Sequence, residues 1–370
     1  MREEVAEKMA RVLRDCPGNP SSVHAEGSAA RAQVEGGRVR VASLIGVEPE
    51  AVLFTGGATE SNNTALCCAA PARGPGWRHI VASSVEHPSV EAPLAALEAR
   101  GWRVTRVPVD TDGLLDPEQV ARAIDDETAL VSILWANNET GVIQPMTAIA
   151  ERVRARGVPL HVDATQAIGK IRVDLREIPA DLLSLSSHKF NGPKGVGCLV
   201  VRGGLGFEPL LRGGPQERYR RGGTEDVAGI AGLGEACALV ERELPARAAH
   251  YAQLRDRLWE GIRAKIPRVR CNGALQRSLP NTLSVQFEGA AGEVLLQALD
   301  LEGIAVSSGA ACASGSIEPS RVLLAMGRSP REARESLRFS VGYGVDETQI
   351  DRVLALLPDL VARVRAADGA

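Results

Sequence analysis

Six short apolar runs, AVLFT, HIVAS, WRVTRVPV, ALVSILW, PLHVDA and DLLSLS, punctuate the first two thirds of the chain. Between several of them lie helix-like stretches: NNTALCCAA, SVEAPLAALEAR, PEQVARAI and MTAIAERVRAR. Short strands joined through helices need crossovers, and crossovers give parallel neighbours. The pattern therefore predicts an α/β fold, a mostly parallel sheet with helices on both faces. Ligands of such sheets collect beyond the carboxyl ends of the strands. Residues that carry chemistry are expected just after the apolar runs.

The alternation stops near Asp226. From there to Ile266 the chain reads as mainly helical, with Pro245 interrupting it. A smaller α+β pattern follows: the strand TLSVQF, the helix GEVLLQAL, the loop SSGAACASGS, the strand SLRFSV and a helix from Thr348 to Ala366. That last stretch places Ile350, Val353, Leu354, Leu357 and Val361 at helical spacing. The 370 residues exceed one usual domain. The predicted division is a large domain over 17–247 and a small C-terminal domain over 248–370. An N-terminal helix over 1–16, with Val5, Met9, Val12 and Leu13 on one face, is expected to pack on the small domain.

Apolar residues form 44% of the chain but aromatics only 3%, so the core must be built from Leu, Val, Ile and Ala. A net charge of −3 gives no reason to expect nucleic-acid binding. No apolar span is long enough for a transmembrane helix. The start, MREEVAEKMARVLRD, is charged throughout, unlike a signal peptide. The seven cysteines are scattered without a C-x-x-C pair. Free thiols in a reducing cytoplasm fit that pattern better than disulfides or a zinc site.

Several strand ends carry residues with chemical potential. In SLSSHKFNGPKGVGCL, Lys189 ends an apolar run just before a glycine-rich turn. A lysine there is ordinarily a solvated loop residue, yet a desolvated amine becomes a nucleophile able to form a Schiff base. In FTGGATESNN, Gly56 and Gly57 precede Thr59, Ser61 and Asn62, either a capped turn or a cup for a phosphate. Asp163, next to last in PLHVDA, ends an apolar strand, where a carboxylate needs a cationic partner or caps the next helix; Gln166 lies close by. His87 in EHPSV and Asn137, Asn138 and Glu139 in WANNETGV also follow apolar runs. Arg338 sits inside a predicted strand and needs a carboxylate, from protein or substrate. Cys312 lies among Ala, Ser and Gly with no apolar neighbour to bury it, whereas Cys198 in GCLVV reads as buried. Together, an amine, a strand-end acid, a phosphate cup and a strand arginine suggest pyridoxal phosphate.

The ordered motifs GNPSSVHAEG, GATESNN, EHPSV, NNETGV, HVDATQ, SSHKFNGPKGVG, RRGGTEDV and SSGAACASGSIEPS resemble a cysteine desulfurase over nearly the whole chain. The long loop around Cys312 resembles the NifS-like group. The resemblance implies a type I fold of the pyridoxal-phosphate-dependent transferases, with class-V aminotransferase character. It implies that Lys189 binds the cofactor aldehyde, Asp163 pairs with the pyridine nitrogen, and Gln166 contacts the ring hydroxyl. His87 would stack on the ring and shuttle protons. Ala58, Thr59, Ser186 and His188 would lie at the cofactor, the last three on its phosphate. Thr224 would reach the cofactor of a neighbouring subunit, which implies a homodimer. Asn138 and Arg338 would grip the substrate carboxylate, and Cys312 would be the nucleophile.

The implied reaction converts L-cysteine to L-alanine and leaves a persulfide on Cys312 for a sulfur acceptor, an iron–sulfur scaffold or a tRNA-thiolation enzyme. Related family members open with a strand and an Asn-Ala-Thr-Thr-like segment, and this chain begins at MREEVAEKM, after that segment; weak turnover of cysteine is the expectation drawn from it. Two other readings compete. One is a different enzyme of the same fold, such as a selenocysteine lyase or an isopenicillin-epimerase-like protein, against which the Cys312 loop argues. The other is a non-catalytic sulfur-relay partner, against which Lys189, Asp163 and Cys312 argue together.

Overall fold

The computed structural model describes residues 1–308 and 318–368. They form two compact units. The larger comprises Met1–Val107, Asp116–Trp135 and Pro145–Leu244; the smaller comprises Pro108–Leu115, Ala136–Gln144 and Pro245–Ala370. The main division falls at Pro245, and the two short segments following predicted strands belong to the smaller unit, not to the larger one as the sequence suggested.

The larger unit is built on a seven-stranded sheet: β1 (Val52–Thr55), β2 (His79–Ser83), β3 (Arg103–Val107), β4 (Thr128–Leu134), β5 (Leu160–Asp163), β6 (Leu182–Ser186) and β7 (Gly197–Val201). Their order is β1-β7-β6-β5-β4-β2-β3. The neighbours from β3 to β6 pair in parallel, while β7 runs antiparallel to both β6 and β1. Every residue of β2, β4, β5, β6 and β7 is buried, which is why these strands read as unbroken apolar runs. Only the edge strand β3 exposes a residue, Arg103.

Its helices are α1 (Glu3–Asp15), α2 (Ala25–Ile45), α3 (Ala58–Thr64), α4 (Pro88–Glu98), α5 (Pro117–Ala123), α6 (Met146–Ala155) and the start of α7 (Val227–Lys265). A π turn over Ala65–Ala69 prolongs α3. α7 runs on through Pro245 without the expected interruption. Proline removes one backbone bond; Leu239 and Val240 before it are buried in the larger unit, and Leu254 and Leu258 after it in the smaller.

α1 belongs to the larger unit, which corrects its expected place on the small domain. Val12 is buried against Ala228 and Ala231 of α7, and Arg2 pairs with Glu243 at 2.8 Å. Val5 and Val12 face inward, while Leu13 is 70% exposed. The small side chains of α7 let the short helix approach closely.

Inside the sheet, β5 carries a polar cross-link. His161 is fully buried; its Nδ1 meets the Ser132 hydroxyl of β4 at 2.8 Å and its Nε2 meets the Ser184 hydroxyl of β6 at 2.9 Å. Burial pushes this imidazole down to about 4, so it is neutral near pH 7.

The smaller unit has an antiparallel sheet, ordered β10-β11-β9-β8, of β8 (Val269–Cys271), β9 (Thr282–Phe287), β10 (Ser307–Ser308) and β11 (Ser336–Ser340). α8 (Gly292–Leu301), α9 (Arg321–Ala325), α10 (Pro330–Arg334) and α11 (Glu347–Asp368) complete it. Ile350, Val353, Leu354, Leu357 and Val361 of α11 join Phe287, Leu295 and Leu337 in its core, as their spacing predicts. Among the described residues no helix is long and apolar enough to cross a membrane.

Candidate active site

The carboxyl ends of β2, β5 and β6 supply the central groups of the larger unit. Asp163, the last residue of β5, is only 6% exposed. Its carboxylate is held by neutral donors: Asn62 Nδ2 donates to Oδ2 at 2.8 Å and the Thr165 N–H donates to Oδ1 at 3.0 Å. Sequence reasoning anticipated a cation there. Asn62 also donates to the Ser89 hydroxyl at 2.8 Å, and that hydroxyl meets His87 Nδ1 at 2.7 Å. The Ser89 N–H donates to the same Nδ1 at 3.1 Å. Nδ1 is thus an acceptor, which leaves the neutral ring's proton on Nε2. Burial lowers the His87 pKa and Lys189 lowers it further, while Asp163 opposes both. His87 therefore lies within the fields of the amine and the acid.

Lys189 sits on the 3₁₀ turn Ser187–Phe190 that follows β6. It is exposed there rather than desolvated. Ser186, the last residue of β6, is buried, and its hydroxyl meets His188 Nδ1 at 3.0 Å. Desolvation, Lys189, Lys194 and Lys170 all depress the His188 pKa. The surroundings of His188 are therefore electropositive and suit an anion. Lys170 Nζ donates to Gln166 Oε1 at 3.1 Å and to the Gln166 backbone carbonyl at 3.0 Å, which fixes the Gln166 side chain one residue beyond Thr165.

The glycine turn after β1 completes the group. Gly57 has φ +142°, open to glycine, and an added Cβ on Gly197 would lie 2.8 Å from the Gly57 Cα. Two bare backbones thereby pass close together where β1 meets β7. Ala58, buried, and Thr59, exposed, open α3 immediately after this turn. Thr224 is exposed and lines a ≈170 Å³ cavity with Gly56, Glu217 and Arg221.

Asn138 and Arg338 both lie in the smaller unit, and the structure brings them together. Arg338 Nη1 donates to the Asn138 backbone carbonyl at 2.7 Å. Neighbouring Glu139 is pushed up to about 7 by burial, against the lowering effects of the Ser320 hydroxyl, which donates to it, and of Arg338. Cys312 lies outside the described residues. Burial raises the thiol pKa of Cys67, Cys68, Cys198, Cys237 and Cys271, to about 11 for Cys68 and Cys271. None of these five offers a ready thiolate near pH 7.

The Aminotransferase class-V model matches residues 1–353. A cysteine desulfurase of Enterobacter agglomerans is 44% identical over 98% of this chain and 90% of its own length. The chain belongs to the class-V aminotransferase family, among its cysteine desulfurases. A solved NifS-like protein superposes with a TM-score of 0.92 at 36% identity, covering 98% of this chain and 96% of its own. Another solved relative, SspA in complex with cysteine, gives 0.82 at 34% identity over 92% of this chain and 95% of its own. These likenesses establish the α/β architecture expected from the alternating runs as the type I transferase fold.

Sequence reasoning missed the partners of the site. Asn62 reaches Asp163 across 101 residues of chain, and no local spacing announces that contact. The sequence presents Glu139 only as one of a polar trio; its half-buried place within reach of the Arg338 charge emerges from the fold. The one visible signal was the cluster of polar residues in TESNN, too many for a simple cap.

Proposed function

We propose that this chain is a pyridoxal-phosphate-dependent cysteine desulfurase that works as a homodimer. The observation that carries the reading is the electrostatic group of Asp163, His87 and Lys189 at or beyond the carboxyl ends of β5, β2 and β6. The donor set fits the cofactor. Asp163 uses one acceptor site on each oxygen, and a carboxylate can take further donors, such as a pyridinium N–H. Buried Asn62 Oδ1 and Thr165 Oγ1, both without hydrogen-bond partners, belong to the two residues whose N–H groups hold that carboxylate. The electropositive surroundings of His188 suit a phosphate.

Lys189 Nζ would hold the cofactor aldehyde, with Asp163 on the ring nitrogen and His87 over the ring. Gln166 would meet the ring hydroxyl, and Ala58, Thr59, Ser186 and His188 would surround the phosphate. Thr224 would reach the phosphate in the second copy. When bound, pyridoxal phosphate supplies an electron sink for the bonds broken at the substrate. Lys189 Nζ moves the α-proton of L-cysteine, and Arg338 with Asn138 holds its carboxylate. Cys312 attacks the substrate sulfur. Its S–S bond forms as the substrate C–S bond breaks, with the electron pair left on carbon, which takes a proton and becomes the methyl group of alanine. The resulting persulfide passes to an acceptor protein, an iron–sulfur scaffold or a thiolation enzyme.

The test is mass spectrometry after treatment with L-cysteine, alongside alanine release. One extra sulfur on the peptide containing Cys312, lost in Cys312→Ser with bound cofactor retained, is the expected result. Sulfur mainly on another cysteine, or alanine release unaffected by Cys312→Ser, refutes the reading.

A further inference from the structure

The turn proposed to hold the phosphate carries a negative charge of its own. Glu60 Oε2 accepts the Gly56 N–H at 2.7 Å. An anion site ordinarily avoids a carboxylate, because like charges repel in a poorly solvated setting. Here the charge has a dedicated partner. Arg221 Nε donates to Glu60 Oε1 at 3.0 Å and Arg221 Nη2 to Glu60 Oε2 at 3.4 Å. Both side chains are largely covered, 17% exposed for Glu60 and 26% for Arg221.

Arg221 is delivered by a segment with little freedom. Between β7 and α7 the chain closes on itself where the Gly222 N–H donates to the Leu211 carbonyl at 2.8 Å. Its centre is pinned by Glu217, whose carboxylate takes Arg38 Nη2 at 2.7 Å, Arg38 Nη1 at 3.0 Å and the Phe54 N–H at 3.0 Å. Phe54 inside β1 is thus tied through Glu217, and Gly56, two residues on in the turn beyond the strand, through Glu60. The two ties flank the ≈170 Å³ cavity lined by Phe54, Gly56, Glu217 and Arg221.

We propose that Arg221 and Glu60 form a charge-compensated brace that sets the affinity of the Gly56–Gly57 turn for the phosphate of the cofactor. The proposal rests on reading that turn as the phosphate cup. Both are positioning residues. Glu60 fixes the turn through the Gly56 N–H, and Arg221 cancels the repulsion that Glu60 would otherwise exert on a phosphate dianion. The pair makes a distinctive demand. Removing Arg221 should harm phosphate binding because Glu60 stays charged, and neutralising Glu60 should repair it. Glu60→Gln keeps an oxygen for the Gly56 N–H and removes only the charge.

The experiment titrates the cofactor-stripped full-length chain with pyridoxal phosphate and, separately, with pyridoxal, which lacks the phosphate. Uptake is followed by visible absorbance and fluorescence, without turnover. Arg221→Ala should weaken pyridoxal phosphate about tenfold or more and leave pyridoxal unchanged, as expected of one uncompensated neighbouring charge. Adding Glu60→Gln to that variant should restore most of the lost affinity. Should Arg221→Ala fail to fold, Arg221→Gln gives the same comparison. Equal weakening of both compounds would make Arg221 a general structural support and overturn the brace, as would a double variant no better than the single one. A wild-type chain that takes up neither compound would instead overturn the cofactor reading.

Discussion

Replacing Glu217 with leucine measures how much the larger unit depends on one buried ion pair. The Glu217 side chain is 2% exposed and that of Arg38 5%. Leucine removes both guanidinium contacts and strands the Phe54 N–H. Breaking one side of a buried pair costs roughly 3–5 kcal/mol. Two features favour the lower end. Arg38 keeps the Val52 carbonyl at 2.8 Å and half-exposed Glu35 at 3.1 Å. In addition, Glu217, Arg218 and Tyr219 are held at φ 45°, 59° and 62°. Such left-handed residues cost about 1 kcal/mol or more each, and part of that strain is released when the anchor goes. The expected loss is about 3 kcal/mol. With ~2.1 cal/mol/K of unfolding entropy per residue, 370 residues turn this into a Tm lowered by about 4 °C. Calorimetry reads the shift, and hydrogen exchange should show faster exchange confined to residues 213–224. Arg38→Met with Glu217→Leu should lose less than Glu217→Leu alone, because no buried charge is stranded. An unchanged Tm, or a double variant as damaged as the sum of the singles, refutes the reasoning.

Lys189→Ala should abolish the visible absorption of bound cofactor and nearly all turnover, while Lys194→Ala, five residues on, should keep both; equal effects would undo the assignment of the amine. Arg338→Lys should lower kcat/KM for cysteine about tenfold or more, since a point charge replaces a two-pronged donor, with cofactor absorbance retained; loss of the cofactor would make Arg338 a structural residue. Glu86 offers a pH test. Burial pushes its carboxyl up to about 8, against the lowering effect of the Ser83 hydroxyl and the Leu134 N–H. The raised group stabilises the fold fully below its unfolded pKa, and that contribution is lost as pH rises from the ordinary carboxyl range through about 8. Urea midpoints should therefore fall between pH 5 and pH 9 more steeply in the wild type than in Glu86→Gln, and parallel profiles would show that Glu86 ionises normally.

The sheet was legible because burial on both faces leaves its strands as bare apolar runs. HIVAS and TLSVQF coincide with β2 and β9. The long helix α2 escaped notice, since its sequence AEGSAARAQVEGGRVRVASLI has many small residues and a weak apolar stripe. The α1 helix showed its apolar face but not its partner, because nothing in a face specifies which surface it meets. At the site, residues that end strands were visible one by one. The contacts that give them their protonation and orientation, Asn62 with Asp163 and Ser89 with His87, depend on tertiary approach. Lys189 illustrates the limit in the other direction: the apolar run before it leaves a solvated loop lysine and a desolvated amine both open, and it lies exposed on the turn after β6.

The cross-link through His161 has a consequence for how tolerant this catalyst is to change. Successive residues of a strand alternate faces, so His161 and Asp163, two apart, point the same way. Ser132 and Ser184 clamp the imidazole from the strands on either side, and a one-residue slip of β5 would break both clasps while turning Asp163 to the opposite face. The aim of the acid is therefore written into two serines that never touch it through their hydroxyls. Mutational drift at Ser132 or Ser184 should register as altered chemistry before it registers as lost fold. Neutral-looking exchanges in the middle of β4 and β6 would be hidden determinants of function, and surveys that score only residues around the cofactor would overlook them.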